Sequence, residues 1–166
     1  QASLINIPVH TNAPSGLIPK HFPSSLHAFV WRNWTLVPLE RIASTVQASP
    51  KQIQELASWM GLPKAQTVSP DQWSRSYLTV IRRNWHLLPR EQLLKLLDWT
   101  DETLEFTLIE DDFFYIKLGS LKPECPEITW RALEKVDPLA LSTFKEDIKR
   151  LFPKGVPALK EPYFHF

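Results

Sequence analysis

The chain has little of what loosens a backbone or staples one. Four glycines in 166 residues leave no Gly-rich loop that could wrap its N–H groups around a phosphate. One cysteine, Cys125, excludes an intramolecular disulfide and a multi-cysteine metal site, and between two prolines it reads as a packed turn residue rather than a nucleophile. Neither sign of charge is in excess: a net charge of +1 gives no global pull toward nucleic acid or anionic membrane. No run of about 18 apolar residues exists, so no membrane span is expected. The histidines at 10, 21, 27, 86 and 165 show no pair at ligand spacing on one helix, so no metal site and no cofactor are expected.

What is abundant is stiff or bulky: fifteen prolines, seven tryptophans and nine phenylalanines. Such a chain is long enough to bury a core and should be ordered almost throughout. Its organising feature is Arg32-Asn33-Trp34-Thr35-Leu36-Val37-Pro38-Leu39-Glu40, which returns 51 residues later as Arg83-Asn84-Trp85-His86-Leu87-Leu88-Pro89-Arg90-Glu91. Val30/Ile81, Ile42/Leu93, Val46/Leu97 and Ile53/Leu104 match at the same offset. The chain is read as a duplicated unit.

Periodicity predicts an all-α fold of two tandem three-helix units plus a C-terminal helix. Residues 1–23 form an extended arm with four prolines, whose Leu4, Ile5, Ile7 and Val9 should lie on a neighbouring surface. Residues 24–65 form the first unit: a helix behind Ser24, a second opened by Pro38 in its first turn, and a third capped by Ser49 with Pro50 first. Residues 66–122 repeat the order, with helices from Asp71 to Arg83, from Pro89 to Leu97, and from a Thr100 or Asp101 cap through Leu104 and Leu108. The stretch from Glu110 to Gly119 is either two further turns of that helix or a short aromatic strand; Leu108, Asp112 and Tyr115 fall at helical spacing. Residues 123–166 hold an irregular crossing, a helix from Asp137 through Leu141, Phe144, Ile148 and Leu151, and a tail. The absent initiator Met and the aromatic ending at Phe166 lead to the expectation of further chain on both sides.

The segment from Pro38 to Ala57 resembles the helix-turn-helix of bacterial regulators: Ala43 lies where two helices cross, Ser49 opens the next helix and Ile53 locks it down. That resemblance implies a homeodomain-like unit and, as one alternative, a cytoplasmic DNA-binding regulator. A base-reading helix needs cations and polar fingers. The first unit offers Lys51, Gln52 and Gln54 beside Glu55, while the second has seven carboxylates and no Lys or Arg between Asp98 and Asp112, which argues against a polyanionic partner. The repeated Arg-Asn-Trp with its Pro and Glu, together with Glu110-Asp111-Asp112-Phe113 and Lys117-Leu118-Gly119, also resembles a module at the N-terminus of large uncharacterised bacterial exported, glycan-related proteins. That resemblance implies an extracytoplasmic, non-catalytic helical module and carries over no catalytic residue.

The function expected is therefore that of an interaction or accessory module, its partner an adjacent domain of the same polypeptide or another protein. A second alternative is glycan binding or hydrolysis using Trp and acidic residues. Glu110, Asp111, Asp112, Phe113 and Tyr115 are the candidate surface. Three consecutive acids on a helix point different ways and cannot converge for catalysis, so they are expected to be solvated or docked on Lys145, Lys149 and Arg150. Arg32, Asn33, Trp34, Pro38, Glu40 and their twins Arg83, Asn84, Trp85, Pro89 and Glu91 are expected to form the corner between the first and second helices of each unit. In that corner Arg pairs with Glu, Asn bridges through its amide, and Trp is a core wedge with its N–H on a carbonyl.

Overall fold

The computed structural model describes residues 15–111, 114–119 and 121–157. Regular structure among them is helical: α1 (Ser25–Asn33), α2 (Leu39–Thr45), α3 (Pro50–Trp59), α4 (Pro70–Arg75), α5 (Tyr77–Asn84), α6 (Arg90–Leu97), α7 (Asp101–Glu110), α8 (Phe114–Lys117), a 3₁₀ helix (Trp130–Lys135) and α9 (Pro138–Leu151). Among the described residues no strand forms, and extended pairing is limited to an isolated bridge between Ser15 and Glu124. The hydrophobic residues proposed for the arm lie outside the described residues.

Helix starts follow local chemistry. Ser24, Ser49, Ser69 and Thr100 each accept from the backbone N–H three residues on, and Gln52 closes a capping box by accepting from Ser49 N. Asp137 accepts from Leu139 N and leads into Pro138. Pro38 and Pro89 stand one residue earlier than expected, as N-cap residues with extended ψ. The single helix expected from Asp71 to Arg83 is two, broken at Ser76, whose hydroxyl bonds back to the Gln72 carbonyl. Beyond α7 the favoured alternative of helix over strand holds for Phe114–Lys117, but not as a continuation of α7. The helix stops at Glu110, Asp111 leaves helical geometry with its carboxylate held by the Tyr77 hydroxyl at 2.9 Å, and α8 forms separately. The 3₁₀ helix, which buries no residue fully, left no periodicity to read.

The repeated motif joins the two copies to each other. Asn33 Nδ2 donates to Asn84 Oδ1 at 2.9 Å and Asn84 Nδ2 donates to Asn33 Oδ1 at 2.7 Å, while each Nδ2 also reaches a carbonyl one turn back, Phe29 or Val80. Arg32 donates to the Arg83 carbonyl at 2.8 Å and Arg83 to the Arg32 carbonyl at 2.5 Å. The corner expected within each unit, with Arg32 on Glu40, is thus replaced by a reciprocal contact where α1 meets α5. The reason is burial: the Asn amides are fully enclosed and must find partners there, whereas Glu40 and Glu91 stay in solvent. Beside this joint, Gln92 of α6 donates to the Thr45 and Ile128 carbonyls and accepts from Ile128 N, tying the second unit to the first and to the crossing. Phe29, Ile42 and Ile53 of the first copy and Ile81, Leu93 and Leu104 of the second lie in one core cluster.

An amphipathic helix, α9, covers the first copy. Its Phe144 stacks on Trp59 at 5.8 Å and also meets Phe22 and Trp31. Its Lys145 ammonium donates to the Trp59 carbonyl, at the end of α3 where exposed carbonyls favour a cation. Gly61, at φ +86°, ends α3, and a Cβ there would stand 3.3 Å from Ile148 Cγ2.

Beneath α9 lies His27, buried, with Ser24 Oγ 2.7 Å from its Nδ1 and its ring edge-on to Trp59. Burial lowers its pKa to about 4. The unfolded chain takes up a proton near 6.5 while the folded chain resists until about 4, so stability is full above that window and falls as pH drops through it. The loss by pH 4 is about 3 kcal/mol. Urea melts of the wild type and of His27→Leu at pH 7, 5.5 and 4.5 check this. The wild type should lose stability over that range by clearly more than the variant, whose remaining slope includes His86, lowered by burial, Lys122 and Arg32. Parallel curves would show that His27 is not held neutral.

Candidate interaction surface

The tryptophans of the repeat are wedges and present no face for stacking on sugars or bases. Trp34 is buried with Nε1 donating to the Pro63 carbonyl at 2.8 Å. Trp85 is buried at 1% exposure. Its Nε1 meets no acceptor among the described residues, and the Lys122 ammonium stands 5.6 Å over its ring. The expected carbonyl partner is therefore present for Trp34, and Trp85 has none among the described residues. Lys122, which sequence patterning did not single out, is buried and donates to the Leu88 and Pro123 carbonyls. Burial lowers its pKa, and Cys125 Sγ lies 3.6 Å away with its thiol pushed up by burial.

On α3 the two glutamines that would have to read bases are engaged inside the chain, and the lysine beside them faces a carboxylate. Gln52 closes the capping box, Gln54 accepts from Ala65 N and donates to Ser58 Oγ, and Lys51 faces Glu55 at 3.9 Å. Of the two alternatives for the acidic run, solvation or docking on the last helix, exposure fits the first for Glu110; on the last helix Lys145 is held at Trp59 and Arg150 pairs with Asp147 at 2.9 Å.

The second copy differs most on α7. Its inner face buries Leu104, Thr107 and Leu108, but its outer face is apolar as well, with Phe106 67% and Ile109 41% exposed, and Ile116 of α8 53% exposed. In the 51-residue register Phe106 stands where the first copy has Glu55, Ile109 where it has Ser58, and Glu102 where it has Lys51. At these positions of the sequence register the exposed residues of α3, Lys51, Glu55 and Ser58, are all polar. Around these apolar residues, Arg90 holds Asp101 at 2.6 Å and Glu105 at 2.9 Å. Asp111 accepts from Tyr77, whose phenol pKa that bond raises. Glu102 and the exposed Glu110 make no ion pair or hydrogen bond among the described residues. Asp112, Phe113 and the side chain of Tyr115 lie outside the described residues. The acids stand out in the sequence as a run, whereas Phe106 and Ile109 stand out only against Glu55 and Ser58, 51 residues earlier.

Two open clefts complete the surface. One of about 400 Å³ is lined by Pro38, Glu40, Arg41, Ser44 and Trp73, with the Arg41 guanidinium 5.9 Å over the Trp73 ring and 3.5 Å from Asp98. The other, about 320 Å³, lies beside Phe22, Leu139 and Phe144. Among the described residues no group of three His, Cys, Asp or Glu is placed to hold a metal ion, and no helix is long and apolar enough to cross a membrane. Fold and surface together define an all-helical, sheet-free protein among the described residues. No family model, no curated protein and no solved structure matches the chain.

Proposed function

We propose that the chain is a non-catalytic interaction module: two helix-turn-helix-like units joined through α1 and α5, with the outer face of α7 and α8 as the contact surface for an adjacent domain or another protein. The observation that carries this reading is the exchange of Glu55 and Ser58 for Phe106 and Ile109 at matching positions. The fold does not require apolar side chains there, and an apolar centre inside a polar rim is the anatomy of a protein interface.

The test is a selection from a display library of helical peptides against the intact chain. Binders should compete with one another and be lost on Phe106→Ser/Ile109→Ser. That variant should keep its unfolding free energy within about 0.5 kcal/mol of the wild type, because surface changes that break no buried contact are nearly neutral. Binders that instead map to the Arg41–Trp73 cleft, or no binders at all, would refute the assignment.

A further inference from the structure

Resting on that reading, we propose that the α7–α8 face receives an amphipathic helix whose apolar stripe is bordered by basic residues. Phe106 and Ile109 lie exposed one turn apart on α7, and the next helix, α8, which packs against α7, exposes Ile116; an exposed apolar pair at i, i+3 is of the kind that takes the anchors of a docking helix. The border is acidic. Asp98, Asp101 and Glu102 are exposed at one end and Glu110 at the other, and among the described residues Asp98 and Asp101 have cationic partners, Arg41 and Arg90, while Glu102 and Glu110 have none. Lys117 is the cation at the far end of α8. A helix with basic flanks matches that potential, and one with acidic flanks is repelled by it.

The chain displays the same mode of docking within its own first copy. There α9 seats Phe144 on Trp59, lays Ile148 against Gly61, and caps the last turn of α3 with Lys145. The twin of Trp59 on α7 is Glu110, so a lysine arriving at the end of α7 meets a carboxylate as well as the C-terminal carbonyls. At this end α3 has a covering helix from its own chain, whereas Glu110 on α7 has no partner among the described residues.

Three synthetic helical peptides with one leucine stripe, flanked by Lys, Gln or Glu, would be titrated into the intact chain by fluorescence anisotropy, with the bound face mapped by backbone amide shifts. The Lys peptide should bind at α7–α8 at least about tenfold tighter than the Gln peptide and weaken with added salt, and the Glu peptide should not bind. Glu102→Lys/Glu110→Lys should invert that order, and Phe106→Ser/Ile109→Ser should abolish binding. If the Gln and Lys peptides bind this face equally, the basic partner is wrong and the interaction surface stands. Lys-peptide binding that survives Phe106→Ser/Ile109→Ser reduces to adhesion between opposite charges and overturns the docked helix. Failure of all three peptides, or shifts confined to another face, removes both proposals, and a concentration-dependent dimer built on this face would replace the helix by a second copy.

Discussion

Trp85→Ala should lower the unfolding free energy by about 3–5 kcal/mol, the cost of emptying a large aromatic site in a core that closes only partly behind it. Trp34→Ala should fall in the same range. Phenylalanine separates the twins. At position 34 it removes the Nε1–H that serves the Pro63 carbonyl, leaving an acceptor to be desolvated without a partner, an added cost of roughly 1–3 kcal/mol. At position 85 the indole donor has no protein acceptor among the described residues, so Trp85→Phe removes no such bond and should be the milder change. Urea unfolding of the four variants measures this. A nearly neutral alanine at either site would return that tryptophan to the list of binding residues, and Trp85→Phe costing more than Trp34→Phe would contradict the asymmetry.

The Asn33–Asn84 pair gives the second large effect. Each side chain is fully buried and each amide donates to its twin as well as to a carbonyl of its own helix. Asn33→Ala strands one donor and one acceptor of Asn84 in the core, and should cost about 2–4 kcal/mol, several times a solvent-exposed hydrogen bond. Asn84→Ala should cost the same, by the symmetry of the contact. The double variant should lose less than the sum by about 1–2 kcal/mol, because the second substitution removes the group that the first left unpaired. Additive losses would mean that the two amides do not act on one another, and that the contact between α1 and α5 rests on packing and the two Arg-to-carbonyl bonds alone.

A Trp between two helices is legible as a core wedge, and Trp34 and Trp85 are both buried. Whether each indole also finds an acceptor depends on the path of residues far along the chain, so identical motifs receive different partners. The acids from Asp98 to Asp112 were visible as a feature of composition. What gives them meaning is that α7 turns Leu104 and Leu108 inward, which leaves Phe106 and Ile109 outside among them. The near-absence of an apolar-to-polar asymmetry around α7 hid that choice of face.

The sequence by itself determined much of the local order: helices as the main element, their caps at Ser24, Ser49 and Asp137, and a motif that recurs at an offset of 51 residues. Those follow from side chains acting on backbone within a few positions, and from an apolar period that persists through each helix. Only the tertiary structure decided that the duplicated Arg-Asn-Trp joins copy to copy instead of helix to helix. Only it decided that Ser76 breaks a helix, that α9 covers the first copy, and that the outer face of α7 is left open. Each of these rests on contacts between residues tens of positions apart, where a buried amide takes whichever partner the packing brings within reach.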